Sequence, residues 1–348
     1  MPDYTEAEIQ LLIALVELAQ PIETPNNTHY RFYPKTPDEA ATYFRGLRVD
    51  WTPAVASLAG RGLVAADGWT LTPAGMAAAT AWRAARPPIF YWYQEVYADA
   101  PRSPAYAKFC AALYGKPLCQ TNFSDMAQID ALLAATRLGP MSRALDLGCG
   151  VGMLAEHLSD VTGAHVTGLD YSPVAIAEAQ RRTVAKRDRL DFRVGNLDDL
   201  PFAPGSFDTL ISIDTLYMPN DLDATLAQMA ALLTPGGQMA IFYMHMLWGL
   251  APAPKGHPPD PRATLCAEHT PLGEALTRAG LRYTTQDFSA ATYAHMQRKY
   301  RLGLAMQAEF AAEGRPWLAD YILAECERSD TPFDPATATM SRYLYHVF

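Results

Sequence analysis

No stretch of the 348 residues approaches the roughly 20 consecutive apolar positions needed to cross a bilayer, so no membrane-spanning helix is expected. Cysteine is scarce: five residues, at 110, 119, 149, 266 and 326, odd in number and far apart. Such scatter gives neither a disulfide framework nor a zinc-binding spacing, and no metal is expected. Positive charge is also short, with 28 Lys and Arg against 37 Asp and Glu, a formal charge of −9. Nucleic acids and anionic membranes both call for a basic face, so neither is expected as a partner. The opening Met1-Pro-Asp-Tyr-Thr-Glu has no basic segment ahead of its first apolar stretch. It does not read as a signal peptide, and reduced thiols in the cytoplasm are the expected setting.

What remains is an ordinary globular composition, 49% hydrophobic and 19% charged, long enough for two domains or one domain with an appendage. Residues 4–20 carry apolar side chains at helical spacing behind a capping sequence, Thr5-Glu-Ala-Glu. A second helix runs from Ala54 to Arg61, followed by a short hairpin turning at Asp67-Gly68 and an Ala-rich helix from Pro73 to Ala85. This order over residues 1–86 resembles a winged-helix module. Its seven basic and nine acidic residues, and a second helix with Arg61 as its one cation, suit packing better than DNA reading. Dimerisation or pocket closure is the expected role, with a homodimer as the assembly. Residues 87–138 open on Pro87-Pro88 and are expected to form a helical linker or lid.

From Met141 onward short apolar strands alternate with helical patterns, which predicts an α/β, doubly wound, mostly parallel sheet over 139–348. Seven strands are expected, near 143–147, 165–169, 190–194, 208–213, 238–244, 281–287 and 341–347. The proline-rich stretch Leu250 to Arg262 reads as a loop, and 291–327 as a helical insertion between the last two strands.

Four segments carry the functional information. Ala144-Leu-Asp-Leu-Gly-Cys-Gly-Val-Gly-Met runs a strand into Gly148, Gly150 and Gly152 and then a helix. Glycines there allow a tight turn and close approach of a ligand to the backbone. The third position of a dinucleotide fingerprint falls on Met153, so the spacing fits poorly with a pyrophosphate seat. Asp170, about 20 residues later at the end of the next strand, can accept both hydroxyls of a ribose. Gly195-Asn-Leu-Asp-Asp-Leu-Pro-Phe and Leu232-Leu-Thr-Pro-Gly-Gly-Gln complete the set.

Together the four segments resemble the class I methyltransferases, and more closely the small-molecule branch of ubiquinone/menaquinone C-methyltransferase-like proteins. The resemblance is strong over 125–245 and loose beyond. It implies a Rossmann-like methyltransferase fold and S-adenosyl-L-methionine as cofactor. It further implies that Asp146 and the backbone of Gly148, Cys149, Gly150 and Gly152 hold the methionine part. Asp170 would bind the ribose with Tyr171 beside the adenine, Asn196 and Leu197 would meet the adenine, and Asp214 would close the amino-acid end. Cys149 reads as a small filler.

Methyl transfer needs alignment of donor and acceptor, exclusion of water and, for some acceptors, removal of a proton. Candidates therefore lie just past the strands and in whatever covers them. Tyr217 and His245 are candidate catalytic groups, as is Asp125, which with Gln128 also reads as a helix cap. Tyr93, Gln120, Phe123, Ser124 and Tyr243 are candidate pocket residues. The stripe Ile89, Tyr93, Tyr97 suits helix packing, or a lid whose rings face a cation.

The expected function is methyl transfer to a small organic acceptor. Two alternatives stay open: displacement at the aminocarboxypropyl carbon, releasing methylthioadenosine, and a non-catalytic cofactor-binding regulator.

Overall fold

The computed structural model describes residues 3–19, 51–86, 90–247, 261–324, 326–327 and 329–348. The chain forms two compact units, Met1–Glu95 and Val96–Phe348. The expected boundary at Pro87-Pro88, residues 20–50 of the expected winged-helix module and all but the end of the expected loop Leu250 to Arg262 lie outside the described residues.

In the first unit, α1 (Glu6–Ala19) opens with a capping box, Thr5 N–H donating to Glu8 and Glu8 N–H to Thr5 Oγ1. Helix α2 (Thr52–Gly60) buries Ala54 and Leu58. Ser57 Oγ donates to Glu8 at 2.6 Å, and Arg61 pairs with Glu8 at 3.4 Å while lying 4.0 Å over the Tyr4 ring. The one cation of this helix is thus committed inside the unit. The expected hairpin appears as a single antiparallel bridge, Val64 to Leu71, and α3 (Pro73–Ala85) follows, capped by Thr72. Helix α4 (Phe90–Asp99) runs across the boundary between the units.

The second unit begins with α5 (Pro104–Tyr114) and α6 (Met126–Thr136). The sheet then develops as β1 (Arg143–Leu147), α7 (Met153–Thr162), β2 (His165–Asp170), α8 (Pro173–Arg182), β3 (Leu190–Val194), β4 (Phe207–Ile213), α9 (Leu222–Leu232) and β5 (Leu233–Met246). Helix α10 (Pro271–Arg278), β6 (Tyr283–Asp287), α11 (Ser289–Ala312), α12 (Pro316–Ala324) and β7 (Met340–Val347) complete it. Strand order is β3-β2-β1-β4-β5-β7-β6, parallel except for β7, which is antiparallel to both neighbours. All seven expected strands form. Strand β5 starts earlier than expected because Leu233 pairs with Phe207 across a bulge.

Buried aliphatic strands receive helices on both faces. Leu145, Leu147, Leu210 and Ile241 pack with α9 and α10, while Ala144, Val166, Ile211 and Phe242 pack with α6, α7 and α8. Segment 87–138 is not a separate linker beyond residue 95. Tyr106, Phe109, Cys110 and Leu113 of α5 are buried, and Phe109 meets Phe310 of α11. Gly303 lets α11 and α12 cross closely, since a Cβ there would stand 2.8 Å from Ile322.

Reversal of the chain before α7 rests on Gly152, held at φ +71° with the Phe192 ring 2.4 Å from where a Cβ would stand. Gly152→Ala should cost about 2–4 kcal/mol, from left-handed strain plus overpacking. A denaturant midpoint unchanged from wild type would contradict that packing.

Candidate functional site

The carboxyl ends of β1, β2 and β4 meet where strand order reverses, the usual seat of a ligand in such sheets. The Gly-rich turn after β1 holds Gly148, Gly150 and Gly152 at φ of +77°, +53° and +71°. A Cβ at the first would stand 2.1 Å from Thr215 and at the second 3.0 Å from the Tyr97 hydroxyl. Protein atoms, rather than the expected ligand approach, thus account for the need for glycine at these positions.

Four amides of this turn are already used. Gly148 and Cys149 N–H donate to Leu169 O at 2.7 and 3.0 Å, Gly152 N–H to Cys149 O at 2.9 Å, and Gly150 N–H to Asp170 Oδ2 at 2.8 Å. These four N–H groups are therefore not free to grip a ligand, which leaves the rest of the turn's backbone for the expected role. A phosphate, which needs a row of donors, has none from these amides. Two buried carboxylates face the opposite kind of ligand. Asp146 is 3% exposed and its Oδ2 has no hydrogen-bond partner. Burial, and then the charge of Asp170, push its carboxyl up to about 7. Asp170 accepts Ser172 N–H at 2.9 Å besides Gly150 N–H; burial raises it to about 6 against the pull of those two donors. Two desolvated carboxylates side by side, one with a bare oxygen, fit a ligand rich in donors and carrying positive charge.

Other expected cofactor residues surround this pair. Tyr171 follows β2 and is half-buried; Leu197 is buried beside β4. The Asn196 side chain is partly committed to its own loop, its Oδ1 accepting Asp198 N–H at 3.3 Å. Cys149 is buried, and burial next to Asp170 and Asp146 pushes its thiol well up, as befits a filler.

Past β4 the chain makes a second arrangement. Asp214 adopts φ +56° and its carboxylate is fully engaged in protein contacts. It pairs with Arg342 at 2.8 Å and accepts Phe123 N–H at 3.0 Å and the Tyr217 hydroxyl at 2.9 Å. Arg342, wholly buried, also donates to Ser124 Oγ at 2.7 Å and to Gln128 Oε1, and lies 4.4 Å over the Phe242 ring. The structure thus gives Asp214, Tyr217 and Ser124 to a structural clamp. Burial, and then the neighbouring Asp214, raise the Tyr217 phenol well above its usual value, which removes it as a base at neutral pH. Its ring meets that of Tyr243 at a tilt, centroids 5.2 Å apart.

Asp125 caps α6, accepting Gln128 N–H at 3.2 Å, so its carboxylate has a structural role. His245 is buried with Nε2 3.1 Å from Thr264 Oγ1, and burial lowers it to about 4. Gln120 is buried with its Nε2 unpartnered. Tyr93 lies half-buried on α4 in the first unit. Sequence reasoning missed Arg342, whose one signal was a cation in register with Met340 and Leu344 on a buried strand. An open hollow of about 560 Å³, lined by Arg143, His165, Arg193 and Phe202 among others, lies at the opposite, amino ends of the strands.

Residues 144–237 match the methyltransferase domain family, so the segment holding the glycine turn, Asp170, Asn196 and Asp214 is a class I methyltransferase domain. The O-methyltransferase rstn1 of Aspergillus nomiae is 35% identical over 101 residues, covering 28% of this chain and 45% of the relative. The ubiquinone biosynthesis O-methyltransferase of Xanthomonas euvesicatoria is 36% identical over 99 residues, covering 28% and 41%. The chain thus spans less than half the length of these curated relatives. A solved structure from Galdieria sulphuraria, described as a sarcosine dimethylglycine methyltransferase, superposes with a TM-score of 0.50 at 16% identity, covering 69% of this chain and 97% of that one. That likeness concerns the fold.

Two outcomes test this geometry. Arg342→Met should destabilise by about 3–5 kcal/mol because Asp214 is left buried and unpaired, and adding Asp214→Asn should recover part of the loss. Strictly additive effects in denaturant melts would mean the two groups are not coupled. The acid pair gives a pH dependence. Folding raises both carboxyls above their unfolded value of about 4, so the folded chain holds protons that the unfolded chain has released. The stability they contribute is complete below pH of about 4 and is lost as pH rises through 6 and 7. Asp146→Asn should raise the melting temperature of the ligand-free protein at pH 8 by at least about 2 °C, with a smaller gain at pH 5. A gain that grows toward acid would reverse the assignment.

Proposed function

We propose that the chain is an S-adenosylmethionine-dependent methyltransferase acting on a small organic acceptor. The observation that carries this is the buried Asp146–Asp170 pair beside a turn with four of its amides bonded within the protein. Asp170 suits the ribose hydroxyls, Asp146 the cationic methionine end, and Asn196 and Leu197 the adenine. The match of residues 144–237 to the methyltransferase domain family supports the same cofactor. When bound, S-adenosylmethionine would supply an electrophilic methyl for in-line displacement, its sulfur keeping the electron pair of the broken carbon–sulfur bond and any acceptor proton passing to water as the product leaves.

The protein's part is to hold and to exclude water. Tyr97, buried at 7% exposure, closes over Gly150, and Gln120 offers a buried, unpartnered amide N–H. The Asp214–Arg342 clamp fixes Phe123 relative to the ends of β4 and β5, so that segment forms a rigid wall of the site. Such pre-organisation is what alignment of two reactants demands. Oxygen is the favoured attacking atom, because the relatives named above are O-methyltransferases. No helix among the described residues is long and apolar enough to cross a membrane, and a cytoplasmic homodimer assembled through the first unit is the accompanying proposal.

The test is incubation with methyl-labelled cofactor and host metabolite extract, followed by mass spectrometry. S-adenosylhomocysteine with a methylated acceptor is expected; methylthioadenosine instead would mean displacement at the aminocarboxypropyl carbon. Asp170→Ala should weaken cofactor binding by about 2–3 kcal/mol in calorimetry. Unchanged affinity would take Asp170 out of the site.

A further inference from the structure

Helix α11 buries the wrong kind of face. Ser289, Thr292, His295, Met296 and Lys299 recur at three- and four-residue spacing and all are buried, whereas the next turns bury Gly303, Met306 and Phe310. A core-facing stripe should be apolar throughout. Ser289 is accounted for, since its Oγ accepts Arg342 N–H at 3.0 Å. Thr292 and His295 are not. His295 is 1% exposed and among the described residues neither ring nitrogen has a hydrogen-bond partner; Thr292 is wholly buried with a bare Oγ1. Each such group costs about 1–3 kcal/mol unless something outside the folded chain satisfies it.

The neighbourhood says what that something is. Met296, next to His295, joins a buried cluster with Phe123, Met244, Met246 and Met340. Met244 and Met246 end β5, and Met340 begins the antiparallel β7, so the cluster sits at the carboxyl end of β5. Phe123 is tied to Asp214 just past β4. Methionine-rich walls adapt to apolar ligands of varied shape. The imidazole rests against Tyr114, ring centroids 4.9 Å apart. Burial first, and then the cations Lys299, Arg298 and Arg342, hold it well below its ordinary pKa. It is therefore neutral, with one nitrogen a donor and the other an acceptor. A quaternary ammonium would satisfy neither nitrogen, and a carboxylate could not meet the acceptor one. A hydroxyl can donate to the bare nitrogen while its oxygen stays open to attack a methyl group.

Given methyl transfer as the activity, we propose that His295, helped by Thr292, is the acceptor-binding residue pair, and that the acceptor is a small apolar molecule bearing a hydroxyl. The imidazole orients the hydroxyl without keeping its proton, because Lys299, Arg298 and Arg342 oppose an imidazolium, and the methylated oxygen releases that proton to water as the ether leaves. The methionine cluster receives the apolar body.

The test uses the full chain with methyl-labelled S-adenosylmethionine and three probes, 1-naphthol, catechol and geraniol. Wild type should methylate at least one of them. His295→Phe should lower kcat/KM for that probe by at least about tenfold, since a buried hydroxyl loses its partner. Cofactor affinity should stay within about twofold, and the melting temperature should rise because two unsatisfied nitrogens are gone. His295→Gln, which keeps a donor and an acceptor, should recover part of the activity. Unchanged kcat/KM in His295→Phe would overturn the assignment, as would a joint fall in melting temperature and cofactor affinity, which marks plain core packing. Cofactor binding with no methylation of any probe would overturn the hydroxyl-bearing class. Failure of wild type to bind the cofactor at all is a different result, and it would remove the methyl-transfer reading itself.

Discussion

A guanidinium buried in the last strand and a carboxylate buried after the fourth hold the catalytic end of the sheet together. Arg342 and Asp214 are 128 positions apart, and the pair bridges β7, the end of β4, and the segment before α6. Removing two charges from water costs several kcal/mol each, which only excellent geometry repays. Here the remaining donors go to Ser124, Gln128 and the Phe123 carbonyl, and the remaining acceptor capacity to Phe123 N–H and the Tyr217 hydroxyl. The pair is therefore less a source of stability than a constraint: those segments reach a low-energy state in one mutual arrangement. Asp214 accepts a left-handed backbone, φ +56°, to make it.

The same sheet edge treats its other carboxylates in the opposite way. Among the described residues, Asp146 and Asp170 have no cation as a hydrogen-bond or ion-pair partner, and Asp146 keeps a bare oxygen. Where Asp214 is neutralised by the chain itself, these two are left to be neutralised by protons or by a ligand. A site that stores unfavourable charge in this way binds a cationic ligand with part of the desolvation already done in folding. Stability is thereby surrendered at one point of the edge while the clamp fixes another.

How much of this was legible follows from range along the chain. The strands, the Gly-rich turn and Asp170 declared themselves because each is written in a few adjacent residues: an apolar run, a glycine spacing, an acid at a strand end. The helix cap at Asp125 was legible for the same reason, since its partner is Gln128. Arg342 was not, because its meaning depends on Asp214 and Ser124, which the sequence places far away. Tyr217, picked out past a strand, and Ser124, picked out ahead of a helix, are likewise shown to be clamp members only by the buried arginine. His295 was hidden by its helix. On α11 a lone histidine reads as one more residue of an amphipathic pattern until burial and the missing partners are both known.

The choice between a nucleoside sulfonium and a dinucleotide turns on hydrogen-bond direction rather than on motif spacing. Both ligands carry a ribose, and Asp170 would serve either. They differ at the other end, where a dinucleotide brings an acceptor-only pyrophosphate and S-adenosylmethionine brings an ammonium donor. Met153 in place of a third glycine weighs against the dinucleotide, but spacing alone leaves the amides of the turn unassigned. Their actual partners decide it. With Gly148, Cys149, Gly150 and Gly152 N–H all bonded within the protein, those four amides offer a pyrophosphate no donor, and two buried carboxylates stand beside them. An ammonium or sulfonium would meet those carboxylates as acceptors. The turn is thus selective through what its amides have already given away.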